Sequence, residues 1–275
     1  MHKVFSVVLR RVRQLPAYVA HANEFLKGRY SPSAAARSPK KPKSKKEVAE
    51  LAFEKWQVRN PGGTFKEYYV SAVLPALAGK KAHATLGPAT LDGSLERAES
   101  TARALIGLGI SKSDLVVDFG CGTLRHGRTL IEYLEPSHYV GLDIDRRILD
   151  SGLAILPAGL AEQKTPILDV INDDVLDRIS SMRPRWVFAK GVLHHVPPAD
   201  LEEFFRNVSR LTGPETIVLI WAKFSDRAAG EQTSKRTWAH SVEGVLSAAR
   251  TYKLDSEMTE VDSMRVVRFR RSQPV

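Results

Sequence analysis

The chain has 275 residues, 43% of them hydrophobic, which suits one α/β domain of about 160 residues with additional N-terminal structure. A single cysteine, Cys121, excludes an intramolecular disulfide and fits a reducing, cytoplasmic setting. No run approaches the roughly 18 continuous apolar residues of a membrane span, and the arginine-broken N-terminus does not read as a secretory signal. The net charge of +10 resides in the tail: residues 1–46 hold 12 Lys or Arg against the single acid Glu24, and the other 29 basic and 30 acidic residues leave the body near neutral. Enzymes acting on long nucleic acids carry positive charge around the site, because phosphate contacts supply much of the affinity. That class is disfavoured, with only the tail left to act as an arm.

In chain order, residues 1–29 read as a basic amphipathic helix. Val4, Phe5, Val8, Leu9, Val12, Leu15 and Val19 share one face, with Lys3, Arg10 and Arg13 opposite. Such a helix can dock on the main domain, lie in an anionic membrane interface, or serve as an organellar transit segment. Residues 30–46, with three prolines, four serines and a lysine cluster, are a linker and a second candidate for peripheral membrane contact. A helical cap region spans 47–109. Its helices are expected over Glu47–Arg59, Thr64–Leu77 (Thr64 and Glu67 have capping-box spacing) and Ser94–Leu108.

From residue 110 to 275 the pattern alternates. Strands are expected at Leu115–Phe119, Tyr139–Leu142, Ile167–Ile171, Trp186–Ala189, Thr216–Trp221, Leu254–Thr259 and Arg265–Arg270. Helices are expected at Arg128–Leu134, Arg146–Leu156, Leu201–Leu211 and Val242–Tyr252. This alternation predicts a mostly parallel, Rossmann-like seven-stranded sheet with helices on both faces. The last two strands lack an intervening helix and should form an antiparallel C-terminal hairpin turning near Asp262-Ser263.

Ligands of open α/β sheets bind beyond the C-terminal ends of the strands. Here those ends carry Asp118-Phe119-Gly120-Cys121-Gly122-Thr123, then Gly141-Leu142-Asp143, then Asn172-Asp173-Asp174, then Lys190-Gly191-Val192-Leu193-His194-His195. The glycine pair allows a sharp turn and close backbone approach. Asp143, 21 residues beyond Gly122, can accept both hydroxyls of a ribose. These four segments, VVDFGCGT, YVGLDID, NDDVLD and FAKGVLHHVPP, resemble the ordered motifs of the class I S-adenosylmethionine-dependent methyltransferases, particularly the branch acting on small molecules and glycans. The resemblance covers Leu115–Trp221 and the hairpin more loosely. It departs at Leu124, where that family commonly has a third glycine.

The resemblance implies S-adenosyl-L-methionine as cofactor. Gly120, Cys121, Gly122 and Thr123 would surround its methionine part, with Cys121 itself packed inside the turn. Asp118 would sit close behind, and Asp143 would bind the ribose. Asp173 or Asp174 would accept from the adenine amine. Lys190 and Gly191 would lie near the methionine end. His194 or His195 can act as general base or shape the substrate wall, with His194 the better base and His195 the better anchor. Arg125 and His126 can face an anionic substrate, and Lys223 can border the acceptor pocket. No metal site is expected. Cytosine-C5 chemistry needs a cysteine after the fourth strand, and exocyclic amine chemistry uses an Asn-Pro-Pro-aromatic turn there; this chain has neither. The leading expectation is methyl transfer to an oxygen of a small molecule, glycan or lipid-linked saccharide. The alternatives are a nucleic-acid methyltransferase with a basic arm, or a non-catalytic protein of the same fold.

Overall fold

The computed structural model describes residues 45–77, 91–227, 230–261 and 264–272. These belong to one compact unit, Lys43–Val275. The helix read at 1–29, the linker up to residue 44 and the turn at Asp262-Ser263 lie outside the described residues. The first helix, α1, spans Lys45–Arg59, so Lys45 and Lys46 are helical rather than linker. Helix α2 is Phe65–Leu77 and α3 is Leu91–Gly107. Then follow β1 Val116–Phe119, α4 Gly127–Tyr133, β2 Tyr139–Asp143, α5 Arg146–Leu153, α6 Leu160–Lys164, β3 Ile167–Val170, α7 Asp173–Ser181 and β4 Trp186–Ala189. Two 3-10 turns, Leu193–His195 and Pro198–Asp200, lead into α8 Leu201–Arg210 and β5 Ile217–Trp221. The chain continues with β6 Phe224–Ser225, β7 Glu231–Ser234, β8 Thr237–Ser241, α9 Val242–Thr251, β9 Leu254–Val261 and β10 Met264–Arg271.

The main sheet has seven strands in the order β3-β2-β1-β4-β5-β10-β9. The first five run parallel, and β10 is antiparallel to both β5 and β9. The order reverses between β1 and β4, which opens a crevice at their C-terminal ends. Alternate residues of each strand feed two cores, because successive side chains point to opposite faces. Val117, Phe119, Val187 and Ile220 pack with Leu176 of α7, Phe205 of α8 and Val245 of α9. Val116, Tyr139, Phe188 and Leu219 pack with Leu105 of α3, Leu130 of α4 and Leu149 of α5. Burial on both faces explains the continuous apolar runs of the parallel strands.

Helix α2 forms a roof over this crevice. Thr64 and Glu67 close the capping box: Glu67 Oε2 accepts from the Thr64 amide at 2.7 Å, and Thr64 Oγ1 accepts from the Glu67 amide at 3.2 Å. At one end, Val73 and Leu77 pack on Ile148 of α5. At the other, the Phe65 ring meets Trp238 of β8 edge-to-face at 4.6 Å. The roof therefore spans from the β2 side of the sheet to the β8 strand.

Several elements differ from the sequence reading. The segment after β5 holds a second, three-stranded sheet, β6-β8-β7, where no strands were expected. Its strands are short and polar, and they are held by Trp238 against a helix distant in sequence. The segment NDDVLD, expected to follow the third strand as a motif, is the start of α7. Asn172 caps it, its side chain accepting from the Val175 amide at 2.9 Å. The short α6 was also not foreseen.

Candidate cofactor and acceptor site

β1 delivers the chain into a turn whose geometry depends on left-handed residues. Gly120 has φ +81° and Gly122 +58°. The amides of Gly120 and Cys121 both donate to the Leu142 carbonyl, at 2.7 and 3.0 Å, tying the turn to β2. A β-carbon at Gly120 would run into the Val192 side chain from the loop after β4. Leu124 is itself left-handed, φ +55°, and its side chain is fully buried in the core under α4. The departure from the family pattern thus keeps the backbone shape that a glycine adopts freely and fills the space beneath it with a leucine.

Two acids anchor this turn. Asp143, at the end of β2, is buried. One carboxylate oxygen accepts from the Gly122 amide at 2.7 Å and the other from the Ile144 amide at 2.8 Å. A carboxylate offers about four acceptor positions, so half remain for a ligand. Burial pushes its pKa up to about 6 against the lowering effect of those two amides. Asp118 lies behind the turn, outside the cleft lining, and accepts from the buried Tyr139 hydroxyl at 2.8 Å. Burial raises its pKa to about 7, against that hydrogen bond and the nearby Arg125.

Together these strand ends enclose a cleft of about 990 Å³. Gly120, Cys121, Gly122, Thr123, Asp143, Asp173, Lys190, Gly191, His194 and His195 all line it. Asp174 does not; it sits exposed in the first turn of α7. Asp173 lines the rim but is ion-paired to Arg210 of α8. The capping residue Asn172 lines the same rim. The Cys121 thiol is buried and its pKa is raised by that burial, which leaves it a packing group. Lys190 lies over the Trp221 ring, 5.0 Å from its centroid, and Trp221 belongs to the core.

The β4–β5 side of the cleft carries the histidines. The His195 ring is fixed by a 2.8 Å hydrogen bond between Nδ1 and the Arg236 carbonyl, and it meets Tyr69 of α2 at 4.9 Å. Burial lowers its pKa to about 4. The His194 ring packs 4.2 Å from His195 and, among the described residues, makes no hydrogen bond. Burial, then the charges of His195 and Lys223, lower its pKa to about 3. His126 is likewise held neutral by burial, its pKa near 3. Tyr69, Phe65 and Arg236 complete this end. The sequence reading missed all three, because α2 and the β7–β8 turn reach the cleft only through tertiary packing.

Residues 117–218 match the sequence profile described as a methyltransferase domain. The chain carries a class I S-adenosylmethionine-dependent methyltransferase domain. The structure of mitomycin 7-O-methyltransferase MmcR is similar with a TM-score of 0.56 and 16% identity, covering 82% of this chain and 67% of that one. The Pyrococcus horikoshii OT3 protein PH0226 gives 0.51 and 17%, covering 69% and 96%. The DhpI complex with S-adenosylhomocysteine gives 0.50 and 15%, covering 76% and 98%. At these identities the likeness is one of fold. No curated protein matches the chain in sequence.

The methyltransferase cleft fits its cofactor. Asp143 presents a buried carboxylate with unused acceptor positions, as a ribose diol requires. Gly120 and Gly122 line the cleft without placing a side chain in it. The cleft volume is at the upper end of the roughly 300–1,000 Å³ typical of ligand sites, enough for a cofactor and an acceptor together.

Proposed function

We propose that this methyltransferase modifies a hydroxyl oxygen of a small-molecule or glycan acceptor, with His194 taking the proton. The observation that carries this reading is the His194 ring: neutral, lining the cleft beside Gly191, and without a hydrogen-bond partner among the described residues. S-adenosylmethionine, when bound, supplies an electrophilic methyl group on a sulfonium. His194 can accept a hydrogen bond from the acceptor hydroxyl and orient an oxygen lone pair toward that methyl. As the C–O bond forms and the C–S bond breaks, the oxygen becomes far more acidic than an imidazolium. Even a weakly basic imidazole then receives the proton. His195, held by Arg236 and Tyr69, fixes the wall against which His194 rests. Tyr69 and Phe65 restrict access from above, which favours a compact acceptor. Positioning of this kind supplies about 7–11 kcal/mol of barrier lowering in well-oriented systems.

The test is transfer of labelled methyl from S-adenosylmethionine to a panel of phenols, saccharides, amines and nucleic acids. Hydroxyl acceptors should be labelled, and His194→Ala should lower kcat on them by roughly 10²- to 10⁴-fold with the cofactor KM little changed. Labelling confined to amines or nucleic acid, or an unchanged kcat in the variant, would overturn the reading.

A further inference from the structure

The charges around the cleft are unevenly distributed. The acids Asp143 and Asp173 stand at the ends of β2 and β3, on one flank of β1. Asp200 and Glu203 act on each other at the start of α8. The segments after β4 and β5 bring the cations Lys190, Lys223 and Arg236 to the lining, with Asp200 and Glu203 the acids that follow β4. No carboxylate is among the charges acting on His126, His194 or His195. These cations and Arg125, which also lines the cleft, differ in their partners. Lys190 is stacked on Trp221, and Arg125 lies against Asp118. Lys223 and Arg236 have no ion pair among the described residues.

The backbone of each is held in place. Lys223 follows β5, and its carbonyl accepts from the His240 amide at 2.7 Å. Arg236 sits in the β7–β8 turn, and its carbonyl fixes the His195 ring. Arg236 is half-buried, so its guanidinium is only partly hydrated. Two cations that line the cleft without an ion pair to a carboxylate attract an anion, and the low-dielectric walls strengthen that attraction.

We propose that the acceptor carries an anionic group, a carboxylate or a phosphate ester, which Lys223 and Arg236 hold while the hydroxyl to be methylated faces His194. This deepens the reading of hydroxyl methylation given above and rests on it for the position of the reacting oxygen. Arg236 offers a planar fork that can bind two oxygens of such a group, and Lys223 a point charge beside it. The pair selects among acceptors: a neutral hydroxyl compound of the same shape leaves two cations without a partner.

The test uses the full chain saturated with S-adenosylhomocysteine, in a phosphate-free buffer of low ionic strength. Benzoate, inorganic phosphate and benzyl alcohol are titrated separately by protein-detected NMR on the wild type and on a Lys223→Ala/Arg236→Ala variant. At least one of the two anions should bind in about the millimolar range and benzyl alcohol more weakly. The double substitution should weaken anion binding by roughly tenfold or more while leaving the affinity for S-adenosylhomocysteine unchanged. Tighter benzoate binding identifies a carboxylate, and tighter phosphate binding a phosphate ester. Absence of binding by both anions, binding that survives the double substitution, or benzyl alcohol binding as well as benzoate would overturn the proposal. Anion binding that depends on the two cations, together with no labelled hydroxyl product, would instead remove the hydroxyl reading and leave the anion site standing.

Discussion

Leu124 is where the sequence departs from the glycine its family commonly uses, and it makes a quantitative test of the cofactor loop. Its φ of +55° costs a side-chain-bearing residue about 1–2 kcal/mol. The fully buried leucine offsets that cost, because truncating such a side chain to alanine loses about 2–5 kcal/mol. Leu124→Ala keeps the unfavourable φ and should lose that amount. Leu124→Gly loses about 0.8 kcal/mol more for the methyl group but regains the roughly 1–2 kcal/mol conformational cost, so it should be more stable than the alanine variant by about 0.2–1.2 kcal/mol. Leu130, equally buried but in the middle of α4, is the control. There Gly should be less stable than Ala by about 1–2 kcal/mol, combining helix propensity with the lost methyl. Urea denaturation of the four variants, with a shared slope, reads both gaps. Equal Ala-to-Gly gaps at positions 124 and 130 would refute the claim that the Leu124 backbone carries the strain.

Two further predictions concern stability. Asp118 has a folded pKa near 7 against an unfolded 3.8, so its contribution favours folding below the unfolded value and is lost as pH rises through 7. The loss is of order 4 kcal/mol by pH 8 for so buried a group. Asp118→Asn should therefore show a flatter dependence of urea midpoint on pH between 5 and 8 than the wild type; parallel curves would contradict this. Phe65→Ala should destabilise the fold by about 3–5 kcal/mol, because its ring anchors α2 to Trp238 of β8. A loss below about 1 kcal/mol would show that the roof is not held there.

Much of the sheet was legible in the sequence because parallel strands buried on both faces write themselves as apolar runs, such as Ile217–Trp221. The glycine turn and Asp143 were legible for a different reason: their spacing reflects a turn and an acid joined by one hydrogen bond, Gly122 to Asp143. Helix α7 was obscured because Asn172, Asp173 and Asp174 suit a turn as well as a helix start, and only Leu176 and Ile179 mark its buried face. The β6–β8 sheet was illegible because its strands bear few apolar residues and pack against helices distant in sequence, α1 on β7 and Phe65 of α2 on Trp238 of β8. Arg236 and Tyr69 enter the cleft through that same contact, so no local pattern announces them. Asp118 was recognised as part of the site, yet its partner is Tyr139 of β2 and it supports the turn from behind.

The central claim is that Asp143 and the Gly120–Gly122 turn form the cofactor site. Calorimetric titration of S-adenosylhomocysteine into the wild type and Asp143→Asn tests it most directly, with both proteins shown to be folded by the same urea transition. The expected result is binding in about the micromolar range by the wild type and a loss of roughly 10- to 100-fold in the variant, the worth of a charged hydrogen-bond acceptor. A folded wild type that does not bind, or a variant that binds as tightly as the wild type, would contradict it.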